Sequence, residues 1–318
     1  MSRLPDLDDV RRAAERIRPW AHRTPVLTCS GIDAALGATL YFKCENFQKV
    51  GAFKFRGATN AVRALPEALA ARGVATHSSG NHAAALSLAA RLRGIPAHVV
   101  MPRSSKAVKR AAVASYGGRI VLCEPTLAAR ESTLESVVAQ TGATFVHPYN
   151  DPMVVAGQGT AALELLEDVR GLDVVMAPVG GGGLLSGTAI AVTSLSPGTR
   201  VVAAEPAAAD DAFRSLKEGR IVASVDPRTV ADGLLTSLGT LTFAIIRERV
   251  SEIVTVSEEA IVAAMRLVWE RMKIVIEPSS AVPLGALMEG RPDVRGRRVG
   301  VIVTGGNVDL DELPWLKR

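Results

Sequence analysis

The feature that most constrains the fold is a pattern that recurs along the chain: a short run rich in β-branched residues, a loop of small residues, and a helix rich in alanine and leucine. The runs occupy residues 73–77, 97–101, 119–123, 174–179, 201–204 and 299–304. Strands that alternate with helices in this way predict an α/β fold, with parallel sheets covered by helices. Ligands of such sheets bind at the carboxyl ends of the strands. The loops after these runs are therefore the candidate sites.

Composition limits the class of protein. The chain has 318 residues, 48% of them hydrophobic, which is enough for two domains or one large α/β unit. We expect no membrane span and no secretory signal, because no long uncharged apolar stretch occurs and the N-terminus lacks an apolar segment. Three cysteines (Cys29, Cys44 and Cys123) without metal-ligand spacing are typical of reduced thiols in the cytoplasm. The net charge of +5 is dispersed and aromatic residues make up only 4%, which argues against nucleic-acid binding.

A glycine-rich loop at residues 179–187 follows one of these runs and leads into a predicted helix. Its four consecutive glycines let the backbone approach a ligand closely, and their N–H groups with the helix dipole favour an anion. No Lys-Ser/Thr pair follows, so this is not a Walker-type phosphate loop. The loop nearly matches a dinucleotide fingerprint, with Ser186 in place of the third glycine and Glu205 where a ribose-binding acid would lie. From this loop alone, NAD binding stays an alternative.

Two further loops carry polar side chains at strand ends. Ser78, Ser79 and Asn81 precede a predicted helix and offer hydroxyls, an amide and free backbone donors, which suit a carboxylate or a ring oxygen. A polar helix cap is the alternative explanation for this loop. Thr304 ends the last predicted strand and two glycines follow it. Taken alone, that loop is better explained as a β-turn.

One lysine stands out from the others. Lys54 lies between Phe53 and Phe55, directly before a helix predicted at 57–65. Aromatic neighbours would desolvate the ammonium and lower its pKa, giving a free amine that can act as a base or condense with a carbonyl. The alternative is a surface lysine. Pyridoxal phosphate accounts for all these features, because it offers an anion, an aldehyde and a ring with oxygen and nitrogen atoms, whereas NAD leaves Lys54 without a role.

Five segments together resemble one known family. They are residues 42–62, 77–86, 148–165, 178–187 and 276–281, which read FKCENFQKVGAFKFRGATNAV, HSSGNHAAAL, PYNDPMVVAGQGTAALEL, PVGGGGLLSG and IEPSSA. They resemble the fold-type II pyridoxal-phosphate enzymes, specifically the serine/threonine dehydratases and serine racemases. The resemblance implies a tryptophan synthase beta-like α/β fold, with two open, twisted, mostly parallel sheets and the cofactor between the lobes. It also implies a small domain at 72–150, a large domain formed by 1–71 and 151–318, and a homodimer.

The resemblance implies roles for individual residues. Lys54 would bond to the cofactor aldehyde and later remove the Cα proton, and Ser79, on the opposite face of the ring, would return a proton. The residues implied to bind the cofactor are Phe53, Lys54, Asn81, Gly180, Gly181, Gly182, Gly183, Leu184, Gly233 and Thr304. Those implied to hold the substrate carboxylate are Ser78, Ser79, Asn81 and His82. The implied ligands of a divalent cation, Mg²⁺ or Ca²⁺, are Glu205, the carbonyl of Ala209 and Asp211.

The implied reaction is β-elimination of water from L-serine or L-threonine, which releases a 2-oxo acid and ammonia. Racemisation of serine begins at the same carbanion, and Ser79 makes it chemically available. Dehydration of 3-hydroxyaspartate is the alternative, and its extra carboxylate would require another cation near the pocket. An NAD-binding oxidoreductase is the alternative from a different class. Arg130 is a candidate for contact with a substrate carboxylate, and Glu277 either contacts the cofactor or ends a strand before a helix.

Overall fold

The computed structural model of the protein describes residues 3–78, 80–105 and 107–316. The strands, β1 to β10 in chain order, are Val26–Leu27, Thr39–Cys44, Val74–His77, Ala97–Pro102, Arg119–Cys123, Thr144–Phe145, Val174–Pro178, Arg200–Pro206, Glu252–Val256 and Arg298–Val303. The helices, α1 to α13, are Leu7–Ile17, Ser30–Leu36, Lys54–Ala64, Glu67–Ala70, Asn81–Arg93, Ala107–Ser115, Leu127–Thr141, Pro152–Asp168, Gly183–Leu195, Asp211–Glu218, Thr240–Arg249, Glu258–Met272 and Pro278–Met288. Within these ranges, no helix is both long enough and apolar enough to cross a membrane.

The strands form two sheets. Six strands pair in the order β1-β2-β10-β7-β8-β9, and every pair is parallel except β1 with β2. Four strands pair in the order β5-β4-β3-β6, all parallel. The predicted α/β class with two mostly parallel sheets is therefore confirmed. The strands of the smaller sheet all lie between residues 72 and 150, while the domain boundaries themselves stay a prediction.

β10 lies in the middle of the larger sheet, between β2 and β7. Val299 pairs with Leu40 on one side and with Val174 on the other. Val301 packs in an apolar cluster with residues of α12 and α13, and Ile302 in a second cluster with residues of α8 and α9. Helices thus cover both faces of the sheet, which is why the strand is a continuous apolar run rather than an alternating one.

α3 begins at Lys54, three residues before the predicted start at Gly57. The glycine is no helix boundary here, because its missing side chain makes room for α8. A Cβ on Gly57 would lie 2.5 Å from Nε2 of Gln158 and 2.7 Å from the carbonyl oxygen of Val154. Tertiary packing, rather than helix propensity, therefore explains this glycine. As a result, Lys54 belongs to the first turn of a helix and not to a loop.

Glycines bring three helices into close contact behind Lys54. A Cβ on Gly157 of α8 would lie 2.6 Å from Cα of Gly57 in α3. A Cβ on Gly187 of α9 would lie 2.5 Å from the backbone nitrogen of Gly159 in α8. Backbone atoms at these distances leave no space for a side chain. The position of α3 relative to α8 and α9 therefore depends on these glycines.

A buried ion network ties α3 to the end of β2 and to α8. The guanidinium of Arg56 donates to the carboxylate of Glu45 at 2.7 and 2.8 Å and to that of Glu164 at 2.7 and 2.8 Å. Lys43 donates its Nζ to Glu164 at 2.7 Å. Arg56 is 1% exposed and Lys43 is 0% exposed, so each charge depends on its partners for compensation. The network specifies where α3 lies against the strand and the helix.

Candidate active site

A cavity of about 590 Å³ lies at the carboxyl ends of the parallel strands. It is lined from the smaller sheet by His77 at the end of β3, and from the larger sheet by Pro178 at the end of β7 and Thr304 after β10. The described residues with a predicted cofactor or substrate role all line it: Phe53, Lys54, Ser78, Asn81, His82, Gly180, Gly181, Gly182, Gly183, Leu184, Gly233 and Thr304. Ser79 lies outside the described residues. The fold thus brings motifs from distant parts of the chain into one cavity.

Lys54 presents its amine to this cavity. Its Nζ donates a hydrogen bond to the carbonyl of Pro148 at 2.9 Å and lies 5.1 Å from the centroid of the Phe53 ring. Loss of hydration lowers the pKa of Lys54 to about 8, against an opposing effect of the Glu277 carboxylate. Phe55, the other flanking aromatic residue, is fully buried and packs in an apolar core cluster. A neutral amine is therefore accessible near neutral pH.

The glycine loop at 180–183 joins β7 to α9. Its glycines and Leu184 are buried, and none of their backbone N–H groups donates a hydrogen bond within the described part of the chain. Gly182 has a φ of 86°, a left-handed conformation that glycine adopts without strain. A Cβ on Gly181 would come within 2.3 Å of the Tyr149 ring, so the loop backbone packs directly against that ring. Buried N–H groups at a helix N-terminus without protein partners are suited to bind an anion.

Asn81, the first residue of α5, is fixed by two neighbours. Its Nδ2 donates to both oxygens of Glu277, at 3.0 and 3.1 Å, and its Oδ1 accepts a hydrogen bond from Nδ2 of Asn307 at 2.9 Å. Glu277 is buried at the start of α13, and burial raises the pKa of its carboxyl to about 7. The sequence left the role of Glu277 open. The structure places it in the cavity wall, bonded to a predicted cofactor ligand.

Two adjacent serines of α13 hold two of the other predicted cofactor ligands. Oγ of Ser280 lies 2.8 Å from Oγ1 of Thr304. Oγ of Ser279 accepts a hydrogen bond from the backbone N–H of Gly233 at 3.1 Å. Neither serine was predicted from the sequence as a ligand. They follow Glu277 and Pro278, and this polar helix start after the apolar segment 274–276 could have identified them; the segment itself is not a strand.

The predicted substrate-binding residues lie at the start of α5. Ser78 lines the cavity, and its Oγ accepts a weak hydrogen bond from the N–H of Gly80 at 3.4 Å. The ring of His82 is only 2% exposed, with Nε2 3.3 Å from the carbonyl oxygen of Val146. Burial holds the pKa of His82 well below its ordinary value, so this ring is neutral. Nδ1 of His82 is buried and has no hydrogen-bond partner among the described residues, and the backbone N–H of His82 lies in the first turn of the helix.

Two further cations line the same cavity. Nε of Arg130 in α7 is buried and has no hydrogen-bond partner among the described residues. Lys109 of α6 pairs with Asp232, with Nζ 2.5 Å from Oδ2. Glu131 of the same helix as Arg130 also lines this side, and Asp232 compensates the charge of Lys109. Nε of Arg130 in particular has hydrogen-bonding capacity that the described residues do not use.

The predicted cation ligands lie away from this cavity. Both oxygens of Glu205 accept backbone N–H groups of α10, from Ala212 at 3.0 Å and Phe213 at 2.8 Å. The carboxylate oxygens of Asp211 are buried and have no hydrogen-bond partner in the described chain. Burial raises the pKa of Glu205 to about 8 and that of Asp211 to about 6. No cluster of three or more His, Cys, Asp or Glu side chains suited to a metal occurs among the described residues, so a cation here would also need the Ala209 carbonyl.

Comparison with known proteins establishes the family. Residues 17–305 match the family described as "Pyridoxal-phosphate dependent enzyme". The chain belongs to this family. It is 57% identical to β-hydroxyaspartate dehydratase of Paracoccus denitrificans over 98% of this chain and 99% of the relative. The predicted membership is thus confirmed, and the family match does not support the alternative of an NAD-binding oxidoreductase.

Solved structures of relatives have the same fold. The crystal structure of serine racemase from Dictyostelium discoideum aligns with a TM-score of 0.93 at 49% identity, covering 96% of this chain and 99% of that chain. The structure of maize serine racemase aligns with a TM-score of 0.95 at 45% identity, covering 97% of this chain and 95% of that chain. A crystal structure of a threonine deaminase, from T.th., aligns with a TM-score of 0.92 at 46% identity, covering 96% and 99%. The agreement extends over both sheets.

The groups in the cavity fit pyridoxal phosphate. The amine of Lys54 suits its aldehyde, and the unpartnered N–H groups at 180–184 suit its phosphate. The hydroxyl of Thr304 is a neutral hydrogen-bonding group for a ring nitrogen. Beside a ring nitrogen, such a hydroxyl would stabilise a positive charge less than a carboxylate would.

Proposed function

We propose that this protein is a pyridoxal-phosphate-dependent ammonia-lyase that eliminates water from a small hydroxy amino acid and releases a 2-oxo acid and ammonia. The observation that supports this most directly is the amine of Lys54, desolvated in a cavity whose other wall is an anion-binding loop. The bound cofactor would supply an electron sink for negative charge at Cα. The protein would supply the base and the positioning of both ligands.

Each group has a role in this proposal. The N–H groups at 180–184 would hold the phosphate, and Asn81 and Thr304 would hold the ring oxygen and nitrogen. Ser78 and the N–H groups that begin α5 would hold the substrate carboxylate, so that the Cα–H bond faces Lys54. The neutral amine of Lys54 would take the Cα proton and become an ammonium, while the electron pair of that bond stays with carbon.

A second substrate is favoured by a specific feature of the cavity. The dicarboxylate 3-hydroxyaspartate carries one more negative charge than serine, and the buried Nε of Arg130 is a cationic donor without a partner among the described residues. The name of the Paracoccus relative, at 57% identity, supports the same substrate class. We therefore propose 3-hydroxyaspartate as a substrate beside L-serine and L-threonine. Serine racemisation, with Ser79 as the second proton donor, belongs to the same proposal.

The proposal includes further properties of the protein. The buried, unpartnered oxygens of Asp211 support a divalent cation bound with Glu205 and the Ala209 carbonyl. The division of strands between the two sheets supports a small domain at 72–150 between the two parts of a large one. A homodimer and a cytoplasmic location complete the proposal.

The test is a substrate panel with a matched pair of lysine variants. The chain loaded with pyridoxal phosphate is given L- and D-serine, L-threonine and the 3-hydroxyaspartate isomers, and both oxo-acid release and enantiomer formation are followed. We expect Lys54→Ala to abolish turnover and to lose the borohydride-reducible adduct, while Lys49→Ala, in the same segment, retains both. Full turnover by Lys54→Ala would refute the proposal.

A second pair of variants tests the choice of substrate. Arg130→Met removes the unpartnered cation, and Arg103→Met removes an exposed one that pairs with Glu124. We expect Arg130→Met to lower kcat/KM for 3-hydroxyaspartate at least about 10-fold more than for L-serine, since a buried charge-assisted hydrogen bond is worth a few kcal/mol. Equal losses for both substrates would exclude a role for Arg130 in recognising the second carboxylate.

A further inference from the structure

We propose that the carbonyl of Pro148 holds the Lys54 amine whenever that amine is not bonded to the cofactor, and that His147 is the positioning residue that sets this carbonyl. The inference rests on the proposed function, because it concerns the step in which Lys54 takes the Cα proton. The backbone oxygen of Pro148 and the imidazole of His147 have no role in the function proposed above.

The contact between Lys54 and Pro148 is direct and exclusive. Nζ lies 2.9 Å from the carbonyl oxygen, and that oxygen accepts no other hydrogen bond in the described part of the chain. Lys54 begins α3, whereas Pro148 lies in the turn between β6 and α8, with the whole smaller sheet between them in sequence. A carbonyl in a cavity wall without a partner would carry a desolvation cost. The lysine amine removes it.

The imidazole of His147 shapes the turn that presents this carbonyl. Its Nδ1 accepts hydrogen bonds from the backbone N–H of Tyr149 at 3.2 Å and of Asn150 at 2.9 Å. An Nδ1 that accepts carries no proton, so the ring is in the neutral form with its proton on Nε2. Loss of hydration lowers the pKa of His147 to about 4, which keeps the ring neutral throughout the physiological range. The two bonds enclose Pro148 and limit rotation of its peptide groups.

The far end of the same turn is fixed independently. Oδ1 of Asn150 accepts the backbone N–H of Leu241 at 2.9 Å, which ties the turn to α11. Oδ1 of Asp151 accepts the N–H of Met153 at 2.7 Å and caps α8. The turn is therefore held at both ends by side chains that accept backbone N–H groups. The position of the Pro148 oxygen is determined before any ligand binds.

A fixed acceptor has two consequences for proton transfer. A neutral amine has two N–H bonds and one lone pair, so holding one N–H at Pro148 restricts rotation of the amine and orients the lone pair of Lys54. When the Cα proton moves to Nζ, the C–H electron pair stays on carbon and Lys54 becomes an ammonium. Its hydrogen bond to the carbonyl becomes charge-assisted and stronger, which favours the proton-transfer product. Misplacement of a catalytic base by about 1 Å can cost roughly 100-fold in rate.

The test compares three histidine variants. His147→Phe keeps a ring but removes the acceptor, and His147→Asn restores an acceptor that can bond to N–H groups two residues on. The control, His98→Phe, removes an imidazole that does not line the cavity. With Cα-deuterated substrate, we expect His147→Phe to lower kcat about 10- to 100-fold with a larger isotope effect and little change in KM. His147→Asn should recover to within about 3-fold of the wild type, and His98→Phe should show no larger isotope effect.

A second readout needs no turnover. In the cofactor-free chain, the pH midpoint for labelling of Lys54 by an amine reagent, followed by mass spectrometry, reports how far the ammonium is stabilised. A hydrogen bond to the carbonyl favours the charged form, so His147→Phe should shift this midpoint to lower pH and His147→Asn should not. If His147→Phe does not fold, Asn150→Ala releases the other end of the turn and should shift the isotope effect and the midpoint in the same directions.

Two results would overturn the proposal. The first is that His147→Phe, or Asn150→Ala if His147→Phe does not fold, has the isotope effect and the labelling midpoint of the wild type. The second is that His147→Asn loses as much kcat as His147→Phe, because the imidazole itself, and not its hydrogen-bond acceptor, would then be required. If the wild-type chain releases no oxo acid from any substrate, the proposed function fails instead, and the labelling of Lys54 still decides where its amine is held.

Discussion

Asn81 donates its side-chain amide to both carboxylate oxygens of Glu277, at 3.0 and 3.1 Å, in the wall of the cavity that holds Lys54. The amide of Asn81 therefore presents its oxygen to Asn307 and its nitrogen to Glu277. Burial raises the pKa of Glu277 from 4.5 to about 7, so the ionised carboxylate is disfavoured in the folded chain relative to the unfolded chain. Ionisation of Glu277, which orients Asn81, therefore lowers the free energy of unfolding by an amount that depends on pH.

The raised pKa of Glu277 predicts that the stability of the protein depends on pH. Because the folded pKa of Glu277 lies above the unfolded value, its contribution to the free energy of unfolding is fully present below about pH 4.5 and is lost as the pH rises through about 7. The loss amounts to roughly 3 kcal/mol at most. In denaturant titrations of the cofactor-free chain from pH 4.5 to 8, Glu277→Gln should decline less steeply than the wild type. Exposed Glu135→Gln should follow the wild type, and equal slopes for Glu277→Gln and the wild type would contradict the prediction.

Removal of Arg56 should destabilise the fold strongly. Arg56→Met leaves the buried carboxylate of Glu45 without its ion-pair partner and the partly buried Glu164 with Lys43 alone, and breaking comparable buried pairs costs about 3–5 kcal/mol. The control is Arg266→Met, which breaks an exposed pair with Glu270 and should cost less than about 1 kcal/mol. Chemical denaturation of both variants measures the difference. A loss for Arg56→Met no larger than that of the control would show that the network does not support α3.

The close contact between α3 and α8 has no space for an added methyl group, so adding one should destabilise the protein. Gly157→Ala would place Cβ 2.6 Å from Cα of Gly57, so the helices must separate, at a cost of about 1–3 kcal/mol. Since α3 carries Lys54, the same change should weaken cofactor binding. Gly198→Ala, where a Cβ meets nothing within 4 Å, is the matched control and should be neutral in both assays. A Gly157→Ala chain with wild-type stability and cofactor affinity would contradict this account of the packing.

A divalent cation should stabilise the protein through Asp211. Its two buried oxygens have no partner in the described chain, and a cation would satisfy them together with Glu205 and the Ala209 carbonyl. Thermal unfolding of the metal-free chain should shift upward on addition of Ca²⁺ or Mg²⁺, and Asp211→Asn should remove that shift. Asp226→Asn, at an exposed carboxylate that pairs with Arg228, is expected to retain it. If neither cation changes the melting temperature of the wild type, the proposed cation site is refuted.

Several parts of the site were predictable because they follow from local rules. Strands such as β10 are buried on both faces and are therefore apolar throughout, and loops such as 180–183 need glycine where the backbone must meet a ligand. The lowered pKa of Lys54 was also foreseen, although its helical position was not. Gly57 resembled a helix start in the sequence, and only the contact with α8 explains it.

Other parts of the site have no signal in one sequence. The acceptor of the Lys54 amine is the backbone oxygen of Pro148, and every residue has such an oxygen. His147 also has no signal in the sequence, because its hydrogen-bond partners are the backbone N–H groups of Tyr149 and Asn150. The sequence did not decide whether Glu277 contacts the cofactor or only precedes a helix, since only tertiary structure places it beside Asn81. Groups that act through the backbone or through distant pairing became visible only in the fold.

The place of β10 between β2 and β7 has a consequence for synthesis on the ribosome. Strands β7, β8 and β9 can assemble as soon as they emerge, but β2 pairs with none of them, and its parallel partner is the last strand of this sheet to be made. Until Arg298–Val303 is inserted, β1 and β2 are not joined to β7, β8 and β9. The carbonyl of Thr304 also cannot accept its hydrogen bond from the backbone N–H of Phe53. A nascent chain that ends before residue 298 therefore lacks both the central strand of the larger sheet and Thr304 of the cavity wall.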